Sequence, residues 1–156
     1  GLTRRKTGAG TLLIAENLVS TSITGRWEIA EGTVVFAGSD QLSAARGYEL
    51  ALQGGTLELE DGTENSFASF AELSATSGIA LGANARLELP GAPQNWGDEA
   101  DLKVTLGKKA KLRFGTDGTS LTADQLSRIT ANGHRVSLDD NGYLRAEGAG
   151  FAIIIR

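Results

Sequence analysis

The chain has 156 residues, with 15 Lys and Arg against 19 Asp and Glu, one His, no Cys and no Met. That length is ordinary for one domain and long enough to bury a real core. The missing Cys excludes disulfides, Cys-based zinc sites, iron–sulfur clusters and thiol nucleophiles, a net charge of −4 gives no support for a nucleic-acid binder, and no apolar run reaches the ~18 residues of a membrane-spanning helix.

Glycine is abundant, 21 residues against 2 Pro, which suits a chain that turns often between short strands. The turns repeat. Gly10-Thr11-Leu12-Leu13-Ile14 and Gly32-Thr33-Val34-Val35-Phe36 each place two apolar residues one position apart after a Gly turn. Gly55-Thr56-Leu57-Glu58-Leu59, Ala85-Arg86-Leu87-Glu88-Leu89 and Ala110-Lys111-Leu112-Arg113-Phe114 follow, so the first apolar residues fall at 12, 34, 57, 87 and 112. A second alternating pair precedes each of the last four: Trp27/Ile29, Leu50/Leu52, Ile79/Leu81 and Val104/Leu106.

Alternation of period two over so short a span is a strand with one buried face. A unit of 22 to 30 residues cannot bury that face alone, so copies must stack. An antiparallel sandwich would need hairpin turns, and the repeat turns lack the Asn-Gly type that favours them. The expected fold is all-β: a right-handed parallel β-helix-like solenoid of about five rungs over residues 1–115. Leu13, Val35, Glu58, Glu88 and Arg113 lie between the inward pairs and are expected to point outward as one column. There Glu58 beside Glu88 would repel, whereas Glu88 beside Arg113 would attract. The longer spacing before Leu87 reads as an insertion near 63–78 carrying Phe67, Phe70 and Leu73, an extra strand or loop folding over the core.

From residue 116 the pattern changes. Thr122 reads as an N-cap with Gln125 closing a capping box and Leu121 stapled to Leu126, for a helix over about Ala123 to Ile129 that stops by Asn132-Gly133. Arg135-Val136-Ser137-Leu138 and Tyr143-Leu144-Arg145 flank Asp139-Asp140-Asn141-Gly142, a hairpin signal. Helix plus hairpin over 116–148 form the cap that an exposed last rung requires. The tail 149–156 reads as a terminal strand. Phe151, Ile153, Ile154 and Ile155 make it apolar on both faces, fit either to fold back along its own solenoid or, the version favoured slightly, to pair with outward Leu13 and Val35 of the first rung in a second copy.

Arg5-Lys6-Thr7-Gly8-Ala9-Gly10-Thr11-Leu12, with Glu31-Gly32-Thr33-Val34 following, resembles the autotransporter-associated β-strand repeat of bacterial surface proteins. Leu112-Arg113-Phe114-Gly115-Thr116, Leu121 to Leu126 and Asp140-Asn141-Gly142-Tyr143-Leu144 resemble the segment that often closes such arrays. The resemblance covers most of the chain, and residues 63–78 and 90–101 depart from it. It implies a parallel β-helix-like passenger, export to the cell surface or beyond, and no shared catalytic residues. The absent initiating Met and signal peptide lead us to expect a processed product or an excised piece.

Candidate chemistry is sparse. Glu58, Glu60, Asp61 and Glu64 place carboxylates at i and i+2, a spacing open to glycoside hydrolysis, but alternation alone sets Glu on the solvated face of such a strand. Asp139, Asp140 and Asn141 offer oxygens to Ca²⁺ without the full EF-hand spacing, so a plain turn is preferred. His134 stands alone beside a turn, and Arg4-Arg5-Lys6 is a short basic run at a fraying end. In the loop 90–101, Trp96 with Gln94 and Asp98 could stack on a sugar, although pinning the loop is the commoner use of such a Trp. Trp27 is expected in the core. The expected function is a non-enzymatic structural or adhesive segment of an exported surface protein, extracellular, open to self-assembly into a filament by strand addition, without cofactor, metal or membrane span. Its expected partner is a further copy or the remainder of a longer chain. The alternatives are a carbohydrate-binding module at Trp96, with glycan as partner, and a polysaccharide-acting enzyme on a β-helix.

Overall fold

The computed structural model describes residues 2–15 and 25–148. The expected strand at 149–156, with Phe151, Ile153, Ile154 and Ile155, lies outside the described residues.

In chain order the elements are β1 (Leu2–Lys6), β2 (Thr11–Ile14), β3 (Gly25–Ile29), β4 (Thr33–Phe36), β5 (Glu49–Leu52), β6 (Thr56–Leu59), β7 (Glu64–Ser66), β8 (Ser69–Leu73) and β9 (Ser77–Leu81). Then come β10 (Arg86–Leu89), β11 (Asn95–Trp96), β12 (Leu102–Leu106), β13 (Lys111–Phe114), α1 (Ala123–Ser127), β14 (Ile129–Ala131), β15 (Val136–Leu138) and β16 (Leu144–Ala146). Three sheets form by stacking each strand on one from the previous turn: β1-β3-β5-β8-β11, β2-β4-β6-β9-β12-β14 and β7-β10-β13. Their pairings are all parallel, and only β15 with β16 is antiparallel. The chain is a β-solenoid of about five coils.

The core follows from alternation in register. In the first sheet Trp27, Leu50 and Phe70 stack in one inward column, and Ile29, Leu52 and Leu73 in another. Inward columns of the second sheet are Val34, Leu57, Ile79, Val104 and Ala131, then Phe36, Leu59 and Leu81. These side chains are buried, most of them completely, and each large one contributes about 1.5–3 kcal/mol by leaving water. Gly32 makes the tight β3–β4 turn possible: its φ is +68°, and a Cβ there would collide with the carbonyls of Gly8 and Gly10 in the coil below.

Two readings of the repeat are corrected by the register. Leu57 and Leu59 are not followed by Leu87 and Leu89 but by Ile79 and Leu81 of the same sheet, while Leu87 and Leu89 belong to the third sheet and carry Leu112 and Phe114. Glu58 therefore neighbours Ala80, not Glu88, and the expected repulsion does not arise. The residues near 63–78 bring additional strands over the core. They supply β7 and β8, regular strands of the third and first sheets, with Phe67, Phe70 and Leu73 buried. In the second coil a loop stands where later coils have the third sheet, bonded to β7 through Leu42 N–H to Asn65 Oδ1 at 2.8 Å and Asn65 Nδ2 to the Gly38 carbonyl at 3.0 Å.

Val35 is also corrected. It occupies the outward column between Leu13 and Glu58 yet is only 6 % exposed, whereas Leu13 on edge strand β2 is 55 % exposed. Leu12, expected inward, is 41 % exposed, since its strand has a neighbour on one side only.

The two ends differ. At the far end Thr122 accepts the Gln125 N–H at 3.1 Å and Gln125 accepts the Thr122 N–H at 2.9 Å, the expected capping box, and Leu121 is buried beside half-buried Leu126. The helix stops at Ser127, and Ile129, expected to finish it, instead opens β14 and extends the second sheet by one strand. The Phe114 N–H donates to the Gly142 carbonyl of the hairpin at 2.8 Å, and Arg113 bridges to Tyr143, so the third sheet is covered as well. At the near end β1 and β2 are the edges of their sheets, and Leu2, Leu12 and Leu13 are the exposed large apolar residues among those described.

Candidate functional site

Trp96 lies on β11, where its register partner is Leu73. It is half-buried, its indole N–H donates to the Ala100 carbonyl at 2.8 Å, and the Arg128 guanidinium stands 4.9 Å from the ring centre. The polar handle a sugar would use is thus bonded within the loop it pins. Gln94 and Asp98 are exposed on either side of it.

The carboxylates divide between faces. Glu58 points outward from the second sheet, with Glu60 and Asp61 at the same rim, and the Asp61 carboxylate accepts the Ala83 N–H at 2.9 Å. Glu64 belongs to the third sheet, 3.7 Å from Arg86. Asp139 accepts the backbone N–H groups of Asn141 and Tyr143, both at 2.9 Å, and pairs with Arg145 at 3.0 Å. The Tyr143 N–H above all, then Asn141 and Arg145, holds its carboxyl below the usual 3.8, and bonds from Thr119 do the same for Asp117. Both are turn-forming carboxylates. Among the described residues no three His, Cys, Asp or Glu side chains are grouped to hold a metal. His134 is exposed and meets Ala131 through backbone bonds.

The basic run near the start is placed rather than frayed. Arg4 lies 5.6 Å over the Trp27 ring in the inward column of the first sheet. Arg5 reaches Glu28 at 3.2 Å and Gln53 at 2.6 Å, and the Lys6 ammonium binds the Thr7 and Gly8 carbonyls. Charged side chains turned inward on a sheet edge blunt that edge.

Sequence reading missed one feature. From Leu102 through Thr116, the fifth coil carries Lys103, Lys108, Lys109, Lys111 and Arg113 and no acid, a third of the 15 cations in an acidic chain. Lys103 points out from the second sheet, Lys108 and Lys109 form the corner, and Lys111 and Arg113 point out from the third. Directly above Arg86 in register is Lys111. Arg86, Lys111 and Arg113 lie 5.6, 5.4 and 5.2 Å from the centre of the Tyr143 ring. Beside this coil, Gly78 and Ala80 sit between Thr56 and Glu58 on one side and Lys103 and Thr105 on the other, leaving a shallow trough along the strand direction. A local charge count would have found the coil; the whole-chain average hid it.

No protein-family model matches the chain, and no match was found among curated proteins or solved structures.

Proposed function

We propose that this chain is a non-enzymatic structural or adhesive segment of an exported bacterial surface protein that associates through edge strand β2 with a second copy of itself. The observation that carries the reading is the inequality of the two ends. All three sheets meet cap residues at the far end: Arg128 holds the loop of β11, β14 lies on β12, and Gly142 bonds Phe114. Among the described residues the near end presents β2, with Leu12 and Leu13, as its apolar edge, while inward Arg4 blunts the neighbouring edge β1. Unpaired N–H and C=O groups beside apolar side chains form a template for another strand. With the far end covered, two copies meet near end to near end, an isologous contact that closes as a dimer. The turns resembling autotransporter-associated repeats support export, and the Trp96 bonds weigh against a sugar site there.

Sedimentation velocity over a concentration series tests this. The chain is expected to dimerise, and Leu12→Lys with Leu13→Lys to leave a folded monomer. A parent that stays monomeric at all concentrations, or a double variant that dimerises as well as the parent, overturns the assigned join. Release of products from a panel of acidic and neutral polysaccharides, lost in Glu58→Gln or Glu60→Gln, overturns the non-enzymatic reading.

A further inference from the structure

The fifth coil holds its cations in an arrangement that is unfavourable for the chain alone. Arg86 and Lys111 are register neighbours on adjacent parallel strands, about 4.8 Å apart, and like charges so placed repel. Glu64 offsets Arg86 weakly from 3.7 Å, and Glu88 reaches Arg113 at 3.4 Å. Among the described residues no carboxylate pairs with Lys103, Lys108, Lys109 or Lys111, all of them exposed. The Tyr143 ring gathers three of the cations, but its quadrupole offsets only part of their repulsion. An anion bridging the column relieves the rest.

We propose that the fifth coil is a binding surface for a linear acidic polysaccharide, whose carboxylate or sulfate groups are seated along Lys103, Lys108, Lys109, Lys111 and Arg86. The cations follow one strand–turn–strand path of up to roughly 25 Å, the reach of several sugar residues. The Gly78–Ala80 trough separates that path from Glu58, Glu60 and Asp61 on its far side, with Lys103 and Thr105 as the near wall, so an acidic chain is confined to the cationic side. Two features select the class of polyanion. Single-stranded nucleic acid is held on aromatic platforms, and among the described residues the ring at this coil, Tyr143, is already overlain by three cations. A lipid surface asks for apolar side chains beside the basic ones, and among the described residues the exposed large apolar side chains lie on β1 and β2 at the other end. An acidic glycan needs neither.

The inference deepens the surface-segment reading without depending on the join at β2. Fluorescence anisotropy with a labelled oligogalacturonate of defined length tests it, beside cellohexaose, an oligo-dT strand and phosphatidylglycerol vesicles. At about 20 mM salt, where screening is weak, the parent is expected to bind oligogalacturonate saturably and to lose affinity steeply as salt rises. Lys103→Gln with Lys108→Gln and Lys111→Gln should weaken binding at least tenfold with an unchanged circular dichroism spectrum, and Arg5→Gln on the first sheet by less than twofold. If the triple variant unfolds, Lys108→Gln alone, in an exposed turn, should still weaken binding more than Arg5→Gln does. Absent binding, equal loss in Arg5→Gln, or tighter binding of oligo-dT or vesicles overturns the proposal. Dimerisation, measured in parallel, is unaffected by that outcome, so the two readings fail separately.

Discussion

Trp96 and Arg128 donate to the same acceptor, the carbonyl of Ala100, each at 2.8 Å, with the guanidinium 4.9 Å from the indole ring centre. Arg128 also donates to the Gly97 carbonyl. The loop after β11 is thereby fastened to the residue that ends α1, and the cap is tied to the first sheet through one shared oxygen. Trp96→Ala is expected to cost about 2–3 kcal/mol, below the ~3–5 of a fully buried Trp. Arg128→Ala should cost about 1–3 kcal/mol. Urea unfolding of the single and double variants should show a coupling of at least about 0.5 kcal/mol. Additive losses would mean that the shared acceptor does not link them.

Inward and outward positions on β10 should separate cleanly. Leu87 is completely buried between Asn65 and Leu112, and Leu87→Ala is expected to cost about 2–5 kcal/mol. Glu88 faces solvent with a partly exposed pair to Arg113, so Glu88→Ala should cost less than about 1 kcal/mol. Chemical denaturation of both variants checks the difference, and comparable losses would reverse the face assignment.

The β3–β4 turn admits glycine alone. Gly32→Ala meets a left-handed φ and two carbonyls of the coil below, and it should destabilise by more than the ~1 kcal/mol of αL strain alone. Gly62, with φ +73° and open space around it, provides the comparison: Gly62→Ala should show the conformational penalty without the collision. Thermal melts of the two variants read the gap.

Acid should loosen the hairpin. The folded-state pKa of Asp139 is lowered below 3.8, first by the Tyr143 N–H, so its contribution is present above that value and is lost as pH falls through the folded value. Asp139→Ala should weaken the cap at neutral pH and flatten the decline in stability below about pH 4. The measurement is denaturant midpoint against pH for parent and variant.

The strands with alternating apolar pairs and the capping box were legible in the sequence because alternation and caps are local, whereas β1 and β11 carry no such pair. The sheet to which each strand belongs was not. Leu-x-Leu pairs at 57/59 and 87/89 look alike, and only the coil closure shows that the chain gained a third side between them. Strand β7 was hidden because its inward position is polar, Asn65, buried and bonded to Leu42 and Gly38. Strand β14 was hidden because Ile129 lies three residues beyond Leu126 and completes a helical spacing as readily as it begins a strand. The cationic coil was visible residue by residue and lost in a net charge of −4.

Hydrogen bonds between strands roughly twenty or more residues apart have a kinetic consequence. Each coil is held by the one before and the one after, so opening starts at an end and travels inward. The capped end costs a helix, a hairpin and the Arg128 clasp to open, whereas among the described residues β1 and β2 are what the other end has to lose. Amide hydrogen exchange should therefore be graded along the axis, fastest in Leu2–Lys6 and Thr11–Ile14 and slowest in β9 and β12, with the unfolding front moving in one direction.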